Sequence, residues 1–207
     1  MLLARRRLVT SFVFPSLVLL AACADGATEP SARDIHIASP LPDYAVLQGF
    51  VWNAGRQGYH LANDLVALAG DTVYAAADGR VFFAETGVEG YGGIVLVEHR
   101  PADGDRFVTL YGHLSARRGL LVAVGDSVIE GEPLATAADD DEDGGQWEPH
   151  LHFGVRPGAA SLDAEVCGLW LYVGYSRTCA GWSHERFRDQ WVDPGLVIEP
   201  ERVPFAR

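Results

Sequence analysis

The sequence contains no lysine. All 16 of its basic residues are arginines, set against 28 acidic ones in 207 residues, for a formal charge of −12. So acidic a chain lacks the basic surface that binds nucleic acid, and it is not expected to adhere electrostatically to anionic lipid. With abundant alanine and glycine, the missing lysine reads as composition bias of the source genome rather than as mechanism. Cysteine is scarce, limited to Cys23, Cys167 and Cys179. There is no internal repeat, no heptad pattern, and no apolar run long enough to make a convincing membrane span.

The N-terminus holds a segment that does not belong to the fold. Arg5-Arg6-Arg7 precede the apolar stretch Leu8 to Leu20, and Leu20-Ala21-Ala22-Cys23 follows with small residues before a cysteine. Residues 1–22 therefore read as a signal segment. Its last four residues resemble a bacterial lipobox, which implies a lipidated Cys23 that attaches the chain to a membrane. The alternative is an ordinary secretory signal cut near Ala22-Cys23-Ala24. Either way the chain is exported to the cell envelope. Losing this segment removes three arginines and no acid, leaving −15. With Cys23 assigned to lipid, Cys167 and Cys179 are expected to form one disulfide in an oxidising compartment, and two buried thiols are the alternative. Closing so short a loop would contribute about 2–3 kcal/mol.

Residues 23–44, with Pro30, Pro40 and Pro42, read as a tether that includes His36. Residues 45–200 suit one domain with a full core, and 201–207 form a tail. From Leu65 to Val155 short apolar runs alternate with turn signals, and no stretch keeps helical periodicity over three turns. Val73 to Val81 reads as a strand, a tight Asp78-Gly79 turn and a second strand. Ile94–Val97 and Phe107–Tyr111 flank Pro101 to Asp105 as a long hairpin. A further turn is expected at Gly125-Asp126. The fold class is all-β and mainly antiparallel.

Against this background the polar landmarks are His60-x-x-x-Asp64, His113 within Leu110-Tyr111-Gly112-His113-Leu114-Ser115, and His150-Leu151-His152. Residues two apart on a strand point to the same face, so His150 and His152 can both reach one site. Imidazoles and a carboxylate from separate segments look like one zinc site assembled by folding. With three protein ligands a fourth tetrahedral position stays open, which is the mark of a catalytic site.

The ordered set of His60-x-x-x-Asp64, Val73 to Val81, Gly92 to His99, Leu110 to Ser115, Val124 to Val128 and Pro149 to Phe153 resembles the lysostaphin-type (LytM-like) zinc endopeptidases. These enzymes cleave the cross-bridges or stems of bacterial peptidoglycan. The resemblance runs from about Tyr59 to Val155, with a fainter echo at Trp191-Val192-Asp193-Pro194. It implies a groove across a sheet, Zn2+ held by His60, Asp64 and His152, and catalytic roles for His113 and His150 beside the zinc-activated water. It also implies a peptidoglycan peptide as substrate, leaves room for a protein activator, and goes with an expected monomer.

The chain departs from that family in several places. Ala62 stands where the family usually carries glycine. The run Ala137 to Glu148 replaces a short Gly/Ser-rich turn, which puts substrate choice in doubt. Its Asp139-x-Asp141-x-Asp143-Gly144 matches half of a calcium loop, although His150 occupies the position of the closing Glu. Ca2+ at Asp139, Asp141 and Asp143 is thus one expectation and a solvated acidic loop the other. Arg156 to Gln190 has no counterpart in the pattern and is read as a disulfide-clipped insertion, either a wall of the cleft or a surface elaboration. His99 is expected to pack or meet solvent. Two other readings stay open: a silent peptidoglycan-binding or hydrolase-regulating module, and a peptidase acting on some other glycine-rich peptide.

Overall fold

β-branched and aromatic runs bounded by Gly, Asp and Pro become strands, because extended backbone relieves crowding at Cβ and the pleat buries one face. The computed structural model describes residues 35–142, 147–161, 165–166, 169–170, 172–199 and 202. In chain order the strands are β1 (Val46–Gln48), β2 (Trp52–Asn53), β3 (Gly58–Tyr59), β4 (Asn63–Val66), β5 (Thr72–Tyr74), β6 (Gly79–Val88), β7 (Gly92–His99), β8 (Phe107–Leu114), β9 (Ser127–Val128), β10 (Pro133–Thr136), β11 (His150–Pro157), β12 (Glu165–Val166) and β13 (Leu169–Trp170). Among the described residues one short α-helix, α1 (His184–Arg188), is capped by Ser183, whose hydroxyl accepts from the Arg186 amide, and a 3-10 turn follows at Pro194–Leu196.

Seven strands form a single sheet in the order β1-β4-β11-β8-β7-β6-β9. Every pairing in it is antiparallel, so the fold is the expected all-β, antiparallel one. β7 and β8 pair as the expected hairpin, with Val95 opposite Tyr111 and Val97 opposite Thr109. Both strands are buried end to end, which requires cover on both faces of the sheet.

The two covers have different origins. On one face Leu65, Val95, Val97, Tyr111, Leu151, Phe153 and Val155 join Val73 of β5 and Leu134 of β10 in the larger core. On the other, Ile94, Leu96, Val108 and Leu110 pack against Leu61, Tyr172, Phe187 and Trp191. Three of those last four come from the C-terminal stretch beyond Arg156, so the second face of the sheet is covered by residues expected to lie in, or just past, an insertion.

Two expectations need correction. Residues 35–41 are not tether: Ile35, Ile37 and Leu41 belong to the larger core, and Ile37 bridges Ile198. The prolines suggested a linker, but Ile35 and Ile37 alternate with exposed His36 as a strand would. Nor does Asp78-Gly79 close a hairpin. β5 pairs with β10 in a separate two-stranded sheet, and the Asp78 carboxylate accepts from the Glu130 amide at 2.7 Å. Gly79 is needed because a β-carbon there would lie 2.6–2.7 Å from Val97, Glu98 and His99. The Gly125-Asp126 turn is present, with Asp126 accepting from the Ala123 amide at 2.8 Å.

His99 is buried rather than solvated. Its Nδ1–H donates to the Asp78 carbonyl at 2.9 Å, Nε2 lies 2.7 Å from Thr109 Oγ1, and Thr109 Oγ1 is 3.0 Å from the Tyr111 hydroxyl. Burial pushes its pKa down to about 4, with the nearby Asp78 and Glu98 opposing only in part.

Two measurements follow. Ile37→Ala should cost about 2–5 kcal/mol in urea unfolding, as for a buried aliphatic; a loss near zero would restore the tether reading. His99 is neutral when folded and protonates readily once unfolded, so acid favours the unfolded chain between about pH 6.5 and 4. Stability should therefore fall across that window, and His99→Gln should abolish about 3 kcal/mol of the fall. An unchanged pH slope in the variant would contradict the assignment.

Candidate metal centre

The antiparallel register of three neighbouring strands brings the site together. β11 sets His152 opposite Asp64 of β4 and opposite Gly112 of β8. His150, two residues earlier, lies on the same face. His60 follows β3 and is fixed from outside the sheet by a bridge to Tyr175. His60 Nε2 is 3.1 Å from Asp64 Oδ1 and 3.0 Å from His152 Nδ1, while His152 Nδ1 is 2.9 Å from Asp64 Oδ1. His150 Nε2 stands 3.8 Å from the same carboxylate oxygen.

His113 reaches the site by breaking the strand's alternation. Phe107 and Tyr111 of β8 face the larger core, so period two would send His113 there as well. Instead His113 adopts φ +61°, a left-handed conformation in which histidine is over-represented. The pairing register of β7 and β8 slips at Gly92 and Gly93, both opposite Leu114. The reversal places the His113 ring 4.4 Å from that of His150 and 5.2 Å from that of Tyr91. Tyr91 in turn packs so closely on Gly112 that a β-carbon there would lie 2.5 Å from its ring.

The tautomers are set by carbonyls. His60 Nδ1–H donates to Gly49 at 2.9 Å, leaving a lone pair on Nε2. His150 Nδ1–H donates to Glu148 at 2.7 Å, which turns its Nε2 toward the site. Burial works against ionising Asp64, but hydrogen bonds and charge from His152 and His60 hold its pKa well below the usual carboxylate range. Burial pushes His152 down to about 4, against the pull of Asp64. Burial, reinforced by His150 and His152, pushes His113 well below an ordinary histidine.

This donor set fits a cation. The His60 lone pair and the Asp64 oxygen are both acceptors at 3.1 Å, and a single proton on His152 cannot satisfy both well. A buried carboxylate among neutral imidazoles also carries uncompensated charge. One divalent ion would answer both problems, and two imidazole nitrogens with one carboxylate oxygen is a donor set zinc accepts. His60, Asp64 and His152 form one of two groups among the described residues that could hold a metal.

The other group is the acidic run, and calcium is not supported there. Asp141 is engaged by Arg117 at 2.5 Å, and Asp143 lies outside the described residues. The Glu142 side chain, expected to be solvated with the rest of the run, is instead shielded from solvent. It accepts from Ser115 Oγ at 2.9 Å and from the Arg117 amide at 2.8 Å. The run is thereby fastened to the end of β8, where the Ala138 amide donates to the His113 carbonyl at 2.8 Å.

Several residues of the site were invisible in the sequence. Tyr175 stacks on His152, with ring centroids 5.2 Å apart, and Gly174 packs so tightly on His152 Nε2 that a side chain there would overlap the ring. Both lie in the stretch 156–190, which thus forms a wall of the cleft. Tyr175 also lines a cavity of about 480 Å³ with Asp64, His113, His150, Arg56 and Trp147. Ala62, in place of the expected glycine, is fully buried and displaces no donor. His36 pairs with Glu199 at 3.0 Å and His184 Nδ1 lies 2.7 Å from Ser176 Oγ, both away from the centre. Cys167 lies outside the described residues.

Residues 57–164, more than half of the chain, match the profile of peptidase family M23. The chain is 27% identical over 135 residues to the murein hydrolase activator NlpD of Salmonella dublin, covering 62% of this chain and 32% of that protein. It is 40% identical over 135 residues to the cell division protein DipM of Caulobacter vibrioides, covering 63% and 20%. It thus spans a fifth to a third of the length of these relatives. A crystal structure of a zinc-containing peptidase from Vibrio cholerae shares the fold, with a TM-score of 0.50 at 23% identity over 77% of this chain and 39% of that one.

If the three convergent atoms are metal ligands, His60→Ala and Asp64→Asn should each drop the metal content from about one zinc per chain to near zero, read by elemental analysis after dialysis. Because protons compete for the imidazole lone pairs, zinc should be held at pH 6 and released as the pH falls toward 4. Stoichiometric zinc in both variants would remove the assignment.

Proposed function

Because the chain belongs to peptidase family M23, we propose that it is a zinc-dependent endopeptidase hydrolysing peptide bonds in the cross-links or stem peptides of bacterial peptidoglycan. The observation that carries this reading is the convergence of His60 Nε2, Asp64 Oδ1 and His152 Nδ1 within 3.1 Å of one another, with His113 and His150 beside them. Zinc bound there supplies a Lewis acid that polarises a carbonyl and lowers the pKa of its water to about 7.

The chain's own residues supply the rest. His60, Asp64 and His152 hold the ion. His113, kept neutral by burial, stands with its ring 4.4 Å from that of His150 as the first proton-carrying group. His150, its Nδ1–H tied to Glu148, presents Nε2 as the second proton-carrying group. Together they accept the water proton, steady the charge that develops on the attacked carbonyl and protonate the leaving amine, help worth about 10²–10⁴-fold in rate.

The signal segment and lipobox support an exported chain anchored in the envelope through Cys23, and the paired cysteine count supports a Cys167–Cys179 disulfide. A second reading, a catalytically silent regulator of other wall hydrolases, is favoured by one observation: a relative carries the name murein hydrolase activator.

Digestion of purified peptidoglycan, followed by release of soluble fragments, separates the two. The wild type should solubilise the wall, and His113→Ala should lose about 10²–10⁴-fold in rate with zinc content unchanged. A fully active His113→Ala would sink its assigned role. Bound zinc in an inert wild type would favour the regulator.

A further inference from the structure

Beside the metal centre lies a second cavity of about 580 Å³, lined in part by Arg56, Arg177, Glu89, Trp147 and Tyr175. Arg56, Trp147 and Tyr175 also line the cavity that holds Asp64, His113 and His150, so the two cavities adjoin across these three residues. Their volumes fall within the range of small-ligand sites.

The charge of this wall is opposite to that of the chain. Its lining residues include two arginines, Arg56 and Arg177, and one acidic residue, Glu89, in a molecule of formal charge −12. Several other arginines are engaged by carboxylates: Arg100 with Glu98, Arg117 with Asp141, Arg188 with Asp189 and Arg202 with Glu130, whereas Arg156 and Arg186 lie over Tyr172 and Trp182 away from this cavity wall. Among the described residues neither Arg56 nor Arg177 has an ion pair. Arg56 is held through its flat face instead, with its guanidinium carbon 4.6 Å from the centroid of Tyr175 and 5.2 Å from that of Trp147. Stacking of this kind restricts the plane while leaving the N–H edges free to bind. A planar fork of donors fits a carboxylate bidentately. Tyr175, which holds Arg56, also stacks on the candidate zinc ligand His152, which fixes the distance between fork and centre.

We propose that Arg56, assisted by Arg177, forms a subsite that binds a carboxylate of the peptide substrate next to the bond to be cleaved. The subsite selects stem or cross-link peptides bearing free carboxylates over amidated peptides and glycine bridges. This inference rests on the endopeptidase reading for its ligand, and it is tested apart from it.

The probes are the stem tetrapeptide L-Ala-γ-D-Glu-L-Lys-D-Ala and its counterpart with both carboxylates converted to carboxamides. Binding to the full chain is measured by calorimetry with zinc withheld, so that no turnover occurs. The wild type should bind the carboxylate peptide about tenfold tighter than the amide, as expected for one charge-assisted fork. Arg56→Gln should bind both alike, at the affinity of the amide, and Arg56→Lys should restore part of the preference. Equal binding of the two peptides by the wild type, or by neither, overturns the subsite; so does an undiminished preference in Arg56→Gln. Carboxylate-dependent binding in a zinc-loaded protein that hydrolyses no wall leaves the subsite standing and removes the endopeptidase. Hydrolysis without discrimination does the reverse.

Discussion

A slip of one residue between β4 and β11 would exchange the faces of one strand relative to the other. Asp64 would then oppose Leu151 or Phe153 instead of His152, and the candidate ligands would part company. Correct pairing is enforced from both sides of the sheet. Leu65, Leu151, Phe153 and Val155 must reach the larger core, while Asn63, beside Asp64, donates to Tyr44 at 2.7 Å and to Asp193 at 3.2 Å. Asp193 belongs to the Trp191-Val192-Asp193-Pro194 stretch, and the neighbouring Val192 bridges Val155 of β11. A distant C-terminal turn thus grips both strands that carry the centre.

The second constraint is the unusual backbone at His113. A strand can present alternate residues only, and β8 already commits Phe107, Thr109 and Tyr111 to one side. The left-handed φ at His113 converts a core-facing position into a site-facing one, and the carbonyl of the same residue receives the Ala138 amide. Through that bond the acidic run is tied to the strand that carries His113. The run's Glu142 side chain satisfies the Ser115 hydroxyl and the Arg117 amide, so a segment whose composition suggests solvent contributes to the cleft's geometry.

How much of this could be read in the sequence depended on the range over which each residue is placed. His150 and His152 are two apart, so local periodicity already put that pair on one face, whereas His60 and Asp64 came into the candidate site through the resemblance of the ordered motifs. The hairpin of β7 and β8 was legible because apolar runs flank a turn-forming stretch. Asp78-Gly79 misled because a glycine required for close approach to Val97 and Glu98 has the same spelling as one required for a turn. Residues 35–41 misled because Pro40 and Pro42 outweighed the short alternation of Ile35 and Ile37. Tyr175 and Arg56 had no local signature. Tyr175 reaches the centre through its bridge to His60, 115 positions away in the chain, and Arg56 is oriented by two aromatic rings supplied by other segments.

The same long-range bridge links the recognition surface to the centre. The Leu61 amide donates to the Gly174 carbonyl at 2.8 Å and the Ser176 amide to Tyr59 at 2.9 Å, so residues 174–176 run alongside His60 through a single antiparallel bridge at Tyr175. Gly174 leaves no space for the His152 ring to retreat, and Tyr175 covers that ring while bearing Arg56. A cation drawn into the cluster would therefore pull on His60 and His152 directly and on the Arg56 wall at one remove. Its binding energy would be shared between holding the centre and holding the wall, as expected when ligands from separate segments are joined only by folding. On the endopeptidase reading, selection and chemistry would depend on one packed unit: the candidate metal centre carried by the sheet, and a wall to which Arg56, Trp147 and Tyr175 contribute.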